Sequence, residues 1–207
     1  MTSAIDTTRA LQSAALALEY PDENWRSRLP LLRQAADTIS GPAGAALARF
    51  VEHADRTPAD ELARHYVETF DLRRRCCLYL TYYAFGDTRK RGMALLRFTH
   101  TYRTAGFTLA SEELPDHLAV VCEFAARRTE PGLRLLRDNR AGVELLYLAL
   151  TDAGSPYAAV IDAVRAVLPE PAPSDLQQAL ELARTGPPAE EVGLEPFAPP
   201  EYMGARR

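Results

Sequence analysis

The side chains that could carry out chemistry are concentrated in one segment, from Tyr66 to Arg97. It contains clustered aromatic residues, two runs of basic residues, adjacent cysteines and a Gly-Asp turn. The sequence has no His-x-x-x-His, Cys-x-x-Cys or Glu-x-x-His pattern, so neither a zinc site nor a di-iron site is predicted. We interpret Cys76 and Cys77 as one buried and one partly exposed thiol rather than as ligands of a soft metal. The sequence therefore predicts no metal and no cofactor.

The Gly86–Gly92 segment, GDTRKRG, combines glycines with basic residues as phosphate-binding loops do. It lacks the Gly-Lys-Ser/Thr ending of such loops, and we interpret Gly86 as the end of one helix and Asp87 as the N-cap of the next. No serine lies in a Gly-x-Ser-x-Gly pattern, the sharp turn that exposes a hydrolase nucleophile. We therefore predict no catalytic residue and a protein that is not an enzyme.

Charge is the remaining signal in this part of the chain. The bases are Arg73, Arg74, Arg75, Arg89, Lys90, Arg91, Arg97 and Arg103, and the nearby acids are Glu61, Glu68, Asp71, Asp87, Glu112, Glu113 and Asp116. One interpretation is a solvated face with ion pairs, each worth about 0.2–1 kcal/mol. Another is an apolar groove with an acidic rim that binds a basic amphipathic helix. A third is a helical regulatory or nucleic-acid-binding adapter that uses the arginine cluster, although a net charge of -4 disfavours nucleic acid.

Composition predicts a globular protein with a substantial core. The 207 residues are 47% hydrophobic and 25% charged. No apolar run is long enough for a secretory signal or a spanning helix, so we expect a cytoplasmic protein with no direct membrane insertion. The cysteine count is three, and two of these residues are adjacent, which favours unpaired thiols in a reducing compartment.

Apolar residues recur with a helical period along most of the chain, which predicts an all-α, single-domain bundle over residues 1–168. Residues 169–207 are rich in proline and are predicted to be a partly disordered C-terminal segment with one short helix. Leu78–Phe85 alternates like a strand, but with no second strand to pair with it we predict a buried helix. Further boundaries are predicted as follows: helix N-caps at Asp22 and Thr57, a kink or a late restart at Pro30, one helix from Pro131 through Leu150, and a helix start at Ser155-Pro156.

Two separated blocks of sequence resemble a known family. The first contains YVETFDL (66–72), LYLTYY (78–83) and GDTRKRGM (86–93), and the second contains ELPDHL (113–118) followed by Glu123-Phe124. They are similar in order and spacing to the NarJ family, the molybdenum-cofactor assembly chaperones of respiratory nitrate reductase, also called its delta subunit. The second block is similar to the Pro-Asp-His signature of the wider TorD-like redox-enzyme chaperones. The resemblance covers residues from about 10 to about 165.

The resemblance implies an all-helical chaperone of the TorD-like type without catalytic activity. It implies binding of the N-terminal tail of the nitrate reductase catalytic (alpha) subunit, which is a remnant of a twin-arginine leader. We expect no nucleic acid among the partners. The apoenzyme would be held in the cytoplasm until the molybdenum cofactor is inserted, with cofactor delivery proteins as further partners. The peptide-binding residues carried over by motif are Tyr66, Glu68, Phe70, Asp71, Tyr79, Tyr82, Tyr83, Asp87, Arg89, Arg91, Asp116 and His117.

Overall fold

The structure, a computed structural model, describes residues 3–110 and 113–186. Within these ranges the chain forms eleven α-helices and no strand. They are α1 (Ala4–Ala17), α2 (Trp25–Thr38), α3 (Pro42–Arg56), α4 (Ala59–Tyr66), α5 (Leu80–Phe85), α6 (Arg89–Thr104), α7 (Leu118–Arg127), α8 (Thr129–Asp138), α9 (Arg140–Asp152), α10 (Tyr157–Ala166) and α11 (Pro173–Thr185). The predicted all-α bundle is confirmed. None of these helices is long and apolar enough to cross a membrane.

Helix α1 lies at the centre of the bundle and packs against α7, α10 and α2. Its buried face consists largely of alanines, including Ala10, Ala14 and Ala17, which are fully buried. Small side chains let neighbouring backbones approach closely, so several helices share contact with α1. Near α1, the ring centroid of Phe50 lies 6.3 Å from that of Trp25 and 5.0 Å from that of Tyr157. These aromatic side chains fill the space that the alanines leave open.

Two predicted N-caps are wrong. Helix α2 begins at Trp25 with Asn24 at the cap position, while the Asp22 carboxylate accepts hydrogen bonds from the Asn24 amide and from Arg28. Thr57 ends α3 instead of capping α4, because its hydroxyl donates to the His53 carbonyl within the last turn. Side chains of this kind bond to whichever backbone group is nearest, before or after them in the chain.

Three other predictions concerned prolines. Helix α2 continues through Pro30 without a restart. The single helix predicted from Pro131 to Leu150 is instead two helices, α8 and α9, separated at Asn139. The side-chain amide of this asparagine donates to the Leu135 carbonyl at 2.8 Å and its backbone amide donates to the same carbonyl at 3.2 Å, at the end of α8. The predicted start at Ser155-Pro156 agrees with α10, where Pro156 holds the cap position.

The C-terminal helix α11 packs against α9, and Ala179 is almost fully buried between them. A buried ionic network holds the preceding connection. Arg140 pairs with Glu144 at 2.7 Å and donates to the Pro169 carbonyl at 3.0 Å, and Arg165 donates to the other Glu144 oxygen at 2.9 Å. The division of the chain at residue 168 remains a prediction, and residues 187–207 lie outside the described ranges.

Two helical glycines, one at a close helix contact and one in open space, give a first prediction. A Cβ at Gly132 would overlap the Ala125 backbone of α7, whereas a Cβ at Gly92 on α6 meets no atom within 4 Å. Gly132→Ala should therefore lower the free energy of unfolding by about 1–3 kcal/mol. Gly92→Ala should raise it by up to about 1 kcal/mol, because alanine restricts the unfolded chain and favours helix. Urea denaturation followed by circular dichroism measures both; equal stability of the two variants would contradict the packing argument.

Candidate functional site

The two sequence blocks singled out by motif are joined by one antiparallel β-bridge. Its paired residues are Tyr79 and His117. The Leu80 amide donates to the Asp116 carbonyl at 3.1 Å, and the Leu118 amide donates to the Leu78 carbonyl at 2.8 Å. The prediction of a buried helix over 78–85 is therefore correct only from Leu80 onward. Before that residue the backbone is extended and finds its partner in the second block.

Asp116 is the buried acid of this junction, with no exposed side-chain surface. Its Oδ2 accepts hydrogen bonds from the Thr81 amide at 3.0 Å and from the Thr81 hydroxyl at 2.5 Å. These bonds satisfy the first turn of α5, where amide groups have no partner within the helix. Asp116 thus caps a helix that lies 35 residues earlier in the chain.

Arg91 extends this junction into α6. Its Nη2 lies 3.7 Å from Asp116 Oδ2, and its Nε donates to the Thr81 hydroxyl at 3.3 Å. The guanidinium lies over two rings, 5.4 Å from the centroid of Tyr79 and 5.8 Å from that of Tyr82. Aromatic faces and a carboxylate both stabilise a cation that is largely removed from water. We call the set Tyr79, Thr81, Arg91, Asp116 and His117 the junction cluster.

The turn before α6 differs in one respect from the prediction. Gly86 ends α5 with φ of 55°, as expected, and its amide donates to the Tyr82 carbonyl at 2.7 Å. Thr88 occupies the N-cap position of α6, so the assignment of Asp87 as N-cap is wrong. Asp87 is exposed and pairs with Arg91 at 3.3 Å instead. The carboxylate is drawn toward this guanidinium one turn along the helix rather than toward the first-turn amides.

Four of the predicted peptide-binding aromatics are buried, namely Tyr66, Phe70, Tyr82 and Tyr83. The Tyr66 hydroxyl donates to the Leu18 carbonyl at 2.9 Å, and that of Tyr83 donates to the carbonyls of Cys77 at 2.7 Å and Arg75 at 3.1 Å. Phe70 lies 4.9 Å from the ring of Tyr157. Burial raises the pKa of Tyr66 and Tyr83 above the usual value. These residues shape the surface from beneath.

After α4 the chain forms one π-helical turn, Val67–Asp71, an uncommon form often found at functional sites. This turn leaves Glu68, Asp71 and Leu72 exposed, and Leu72 keeps 72% of its surface accessible. A short 3₁₀ turn, Arg74–Cys76, then leads to the β-bridge. The segment between α4 and α5 therefore presents acids and one large apolar side chain to solvent.

Carboxylates gather around Tyr66. Besides burial, which acts most strongly, the charges of Asp71, Glu113 and Glu19 raise the pKa of its hydroxyl. Glu113 also accepts a hydrogen bond from the Tyr79 hydroxyl at 2.7 Å. We call Glu19, Asp71 and Glu113 the acidic rim. The pKa of Glu19 is itself raised, first by burial and then by Glu123 and Asp22, despite its pairing with Arg28.

Sequence reasoning missed two residues of this surface. Glu19 and Tyr20 follow α1, and neither was among the predicted contacts. Tyr20 is half exposed and meets the Tyr66 ring edge-on at 5.5 Å. Glu113 had been predicted to lie in the second wall of the groove, as part of the ELPDHL block. Glu19 and Tyr20 carry no local signal beyond the Pro21 that follows them.

The structure divides the predicted contacts by exposure. Glu68, Asp71, Asp87 and Arg89 are exposed, Tyr79 and Arg91 are partly buried, and Tyr66, Phe70, Tyr82, Tyr83, Asp116 and His117 are buried. The Tyr79 and His117 rings meet edge-on at 5.3 Å. Their role in peptide binding stays a prediction. The geometry establishes that Asp116 and His117 join the second block to the first, through Thr81, Arg91 and Tyr79.

The thiols agree with the interpretation made from sequence. Cys76 is buried, Cys77 is partly exposed, and all three cysteines are free. Burial raises the pKa of Cys77 to about 11 and that of Cys122 to about 12, so both are protonated near neutral pH. Residues 3–110 and 113–186 contain no group of three or more side chains arranged to bind a metal ion.

The junction cluster predicts a large difference between two aspartates. Asp116→Ala leaves the first turn of α5 and the Arg91 guanidinium without their acceptor, so it should lower the free energy of unfolding by about 2–4 kcal/mol. Asp87→Ala removes an exposed ion pair and should cost less than about 1 kcal/mol. Chemical denaturation of both variants makes the comparison, and a small effect of Asp116→Ala would contradict the capping role.

His117 should contribute to the pH dependence of stability. Burial lowers the pKa of its imidazole from 6.5, and the opposing effects of Glu113 and Asp116 are smaller. The unfolded chain then binds more protons below that value, so stability is complete above about pH 6.5 and falls as the pH decreases toward the folded-state pKa. His117→Gln should reduce this decrease between about pH 7 and 5.5, as measured by denaturation at several pH values. The exposed His100→Gln is the control, and identical profiles would refute the assignment.

Comparison with known proteins identifies the family. The family described as nitrate reductase delta subunit matches residues 36–162. The chain is 42% identical over 154 residues to the nitrate reductase-like protein NarX of Mycobacterium tuberculosis, a match that covers 74% of this chain and 23% of NarX. The chain therefore spans about a quarter of that relative. It is 33% identical over 166 residues to the NarJ protein of Bacillus subtilis, covering 78% of this chain and 90% of NarJ.

Two further comparisons agree. The nitrate reductase molybdenum cofactor assembly chaperone NarJ of Escherichia coli is 32% identical over 149 residues, which are 70% of this chain and 63% of that protein. A redox enzyme maturation protein of Archaeoglobus fulgidus shares the fold with a TM-score of 0.60 and 23% identity, covering 77% of this chain and 91% of that chain. Because the family model matches residues 36–162 and the Bacillus subtilis NarJ protein is 33% identical over 90% of its length, the chain belongs to the nitrate reductase delta subunit, or NarJ, family.

Proposed function

We propose that this protein is an assembly chaperone for a nitrate reductase. It binds the N-terminal tail of the catalytic (alpha) subunit and holds the apoenzyme competent for molybdenum cofactor insertion and for assembly of the membrane-bound complex. Kinship with NarJ proteins, one of which is named as a molybdenum cofactor assembly chaperone, supports the general role. The acidic rim is the observation that carries the peptide-binding part, since Glu19 and Asp71 are exposed and Glu113 accepts a hydrogen bond from Tyr79 at 2.7 Å.

The chemistry of the rim suits a basic peptide. Three carboxylates that raise the pKa of one buried hydroxyl form a region of negative potential, although the pair Glu19–Arg28 partly neutralises it. Arginine side chains of a leader remnant bind carboxylates through charge-assisted and often bidentate hydrogen bonds. The attraction is local, because salt screens exposed charges beyond about 8–10 Å. A peptide therefore gains from the rim only when its cations lie directly over it.

Apolar anchors are available beside the rim. Tyr20, Leu72 and Leu114 are exposed at 50%, 72% and 38% of their surface. An amphipathic helix binds such side chains through residues at positions i, i+3, i+4 and i+7. Asp71 ends the π-helical turn and Leu72 follows it, so that an acidic and an apolar side chain are adjacent. A peptide with cations flanking an apolar stripe is complementary to this arrangement.

The junction cluster gives the surface its rigidity. Glu113 is held by Tyr79, and Tyr79 in turn lies between Arg91 and His117. Pre-organised acceptors lose little conformational entropy on binding, which improves affinity without additional contacts. Most motif residues therefore support peptide binding by positioning the exposed acids rather than by contact. No reaction of the chain's own is part of this proposal.

Removal of two rim charges tests the proposal. Asp71→Asn/Glu113→Gln keeps the shape and the hydrogen-bond acceptor for Tyr79 but removes the negative charge. It should weaken calorimetrically measured binding of a synthetic alpha-subunit N-terminal tail about tenfold, since each charge-assisted contact contributes about 0.5–1 kcal/mol. Raising the salt concentration should reduce the difference in affinity between this variant and the unaltered protein, because salt screens the rim charges.

The matched control is Asp138→Asn/Asp152→Asn, which removes the same charge from exposed positions on α8 and α9. This variant should bind the tail as the unaltered protein does. Melting curves establish that all variants are folded. Equal weakening by both pairs would show that net charge rather than the rim attracts the peptide. Absence of binding to the unaltered protein at high peptide concentration would overturn the proposal itself.

A further inference from the structure

Helix α6 carries a second, oppositely charged surface. With about 3.6 residues per turn, one side of this helix faces the core and the other faces solvent. Ala94, Phe98 and Tyr102 are buried on the inner side, together with most of the Arg91 side chain. The opposite side is what we call the α6 outer face, and its residues are Arg89, Lys90, Met93, Leu96, Arg97, His100 and Arg103.

The charge of α6 is unlike that of the rest of the molecule. Its sixteen residues include five arginines and lysines and no aspartate or glutamate. Elsewhere, cations are commonly matched within their own helix, as in the pairs Arg127–Glu123 at 2.7 Å and Arg134–Glu130 at 3.3 Å. On α6, Lys90, Arg97 and Arg103 form no ion pair with any residue of 3–110 or 113–186.

Two large apolar side chains lie in the middle of these cations. Met93 and Leu96 keep 66% and 60% of their surface exposed, and they are one helical turn apart. Arg97 lies beside Met93 on the same side, and Lys90 precedes it by one turn. An exposed methionine and leucine surrounded by unmatched cations are typical of an interaction surface rather than of a solvated helix.

The basic peptide of the proposed function does not suit this face. Cations on both partners would repel each other wherever they approach within the screening length of about 8–10 Å. The complementary partner has carboxylates that flank an apolar stripe. A helix is the form that places such groups at a spacing to match Lys90, Met93 and Arg97 on α6.

We propose that the α6 outer face binds an acidic amphipathic helical segment of a partner protein. This surface is distinct from the acidic rim, and the inference does not depend on the identity of the peptide bound there. Met93 and Leu96 provide the apolar contact. Lys90, Arg97 and Arg103 provide the charge that selects an acidic partner over a basic one.

Other anionic partners fit this face less well. Amphipathic helices that bind membranes insert a broad apolar side, whereas the broad apolar side of α6, with Phe98 and Tyr102, is packed into the core. Nucleic acid requires a positive field over several phosphates, and the chain has a net charge of -4. The apolar pair at the centre of the face also has no counterpart in a phosphate backbone. A protein helix uses both features.

Fluorescence anisotropy with a designed probe tests this inference on the full chain. The probe is a labelled helical peptide of glutamate, leucine and alanine, with leucines at i and i+3, and its twin has lysine in place of glutamate. The acidic peptide should bind at least about tenfold more tightly than the basic twin. Lys90→Glu/Arg97→Glu should weaken binding of the acidic peptide by about tenfold or more, because it turns an electrostatic attraction into a repulsion. Met93→Ser/Leu96→Ser should weaken the same binding by a few-fold, because it removes the apolar contact.

The control Arg134→Glu/Arg137→Glu makes the same change in net charge on α8 and should alter the affinity less than about twofold. Binding of the alpha-subunit tail should persist in Lys90→Glu/Arg97→Glu, which separates this surface from the acidic rim. The inference is overturned if both charge reversals weaken the acidic peptide equally, or if neither does. It is also overturned if α6 variants lose binding to phosphatidylglycerol vesicles or duplex DNA while binding of the acidic peptide is unchanged.

Discussion

The site depends on the hydrogen bonds and the ion pair that the buried carboxylate of Asp116 makes. A carboxylate removed from water is costly unless hydrogen bonds and a cation compensate. Thr81 supplies two hydrogen bonds and Arg91 the cation, and these residues stand at the start of α5 and α6. Helix α5 has only six residues and could not form alone. One acid thus orders three segments, and loss of any partner would leave the others buried without compensation.

This arrangement explains why so many aromatic side chains of the two sequence blocks lie beneath the surface. The Tyr66 and Tyr83 hydroxyls are bonded to backbone carbonyls, and the Tyr79 hydroxyl is bonded to Glu113. A tyrosine can fill a core and still satisfy a polar group at its edge, so it suits a position under a binding surface. The exposed side chains around these rings are shorter and are chiefly carboxylates, such as Glu68 and Asp71. Their orientation is set by the rings below them.

Features that depend on a local sequence pattern could be predicted from the sequence. Helical periodicity gave the all-α bundle, and Gly86 was correctly placed at a helix end because a positive φ favours glycine. The predictions were wrong where a polar side chain could bond to more than one partner. Asp22, Thr57 and Asp87 were predicted as caps, yet each bonds elsewhere. Asp116, the true cap of α5, is 35 residues away from it in sequence, a distance that no local pattern spans. The β-bridge was missed for the same reason.

Two surfaces of opposite charge now share one rigid support. Arg91 lies on the inner side of α6, bound to Asp116, while Arg97 and Lys90 lie on the outer side. A net charge of -4 conceals this separation, because the sum over the chain says nothing about where charges lie. Screening over about 8–10 Å lets each surface act on its own partner with little influence from the other. Together the two proposals have the chain bind a basic segment at the acidic rim and an acidic segment at the α6 outer face, with the junction cluster connecting α6 to Glu113 of the rim.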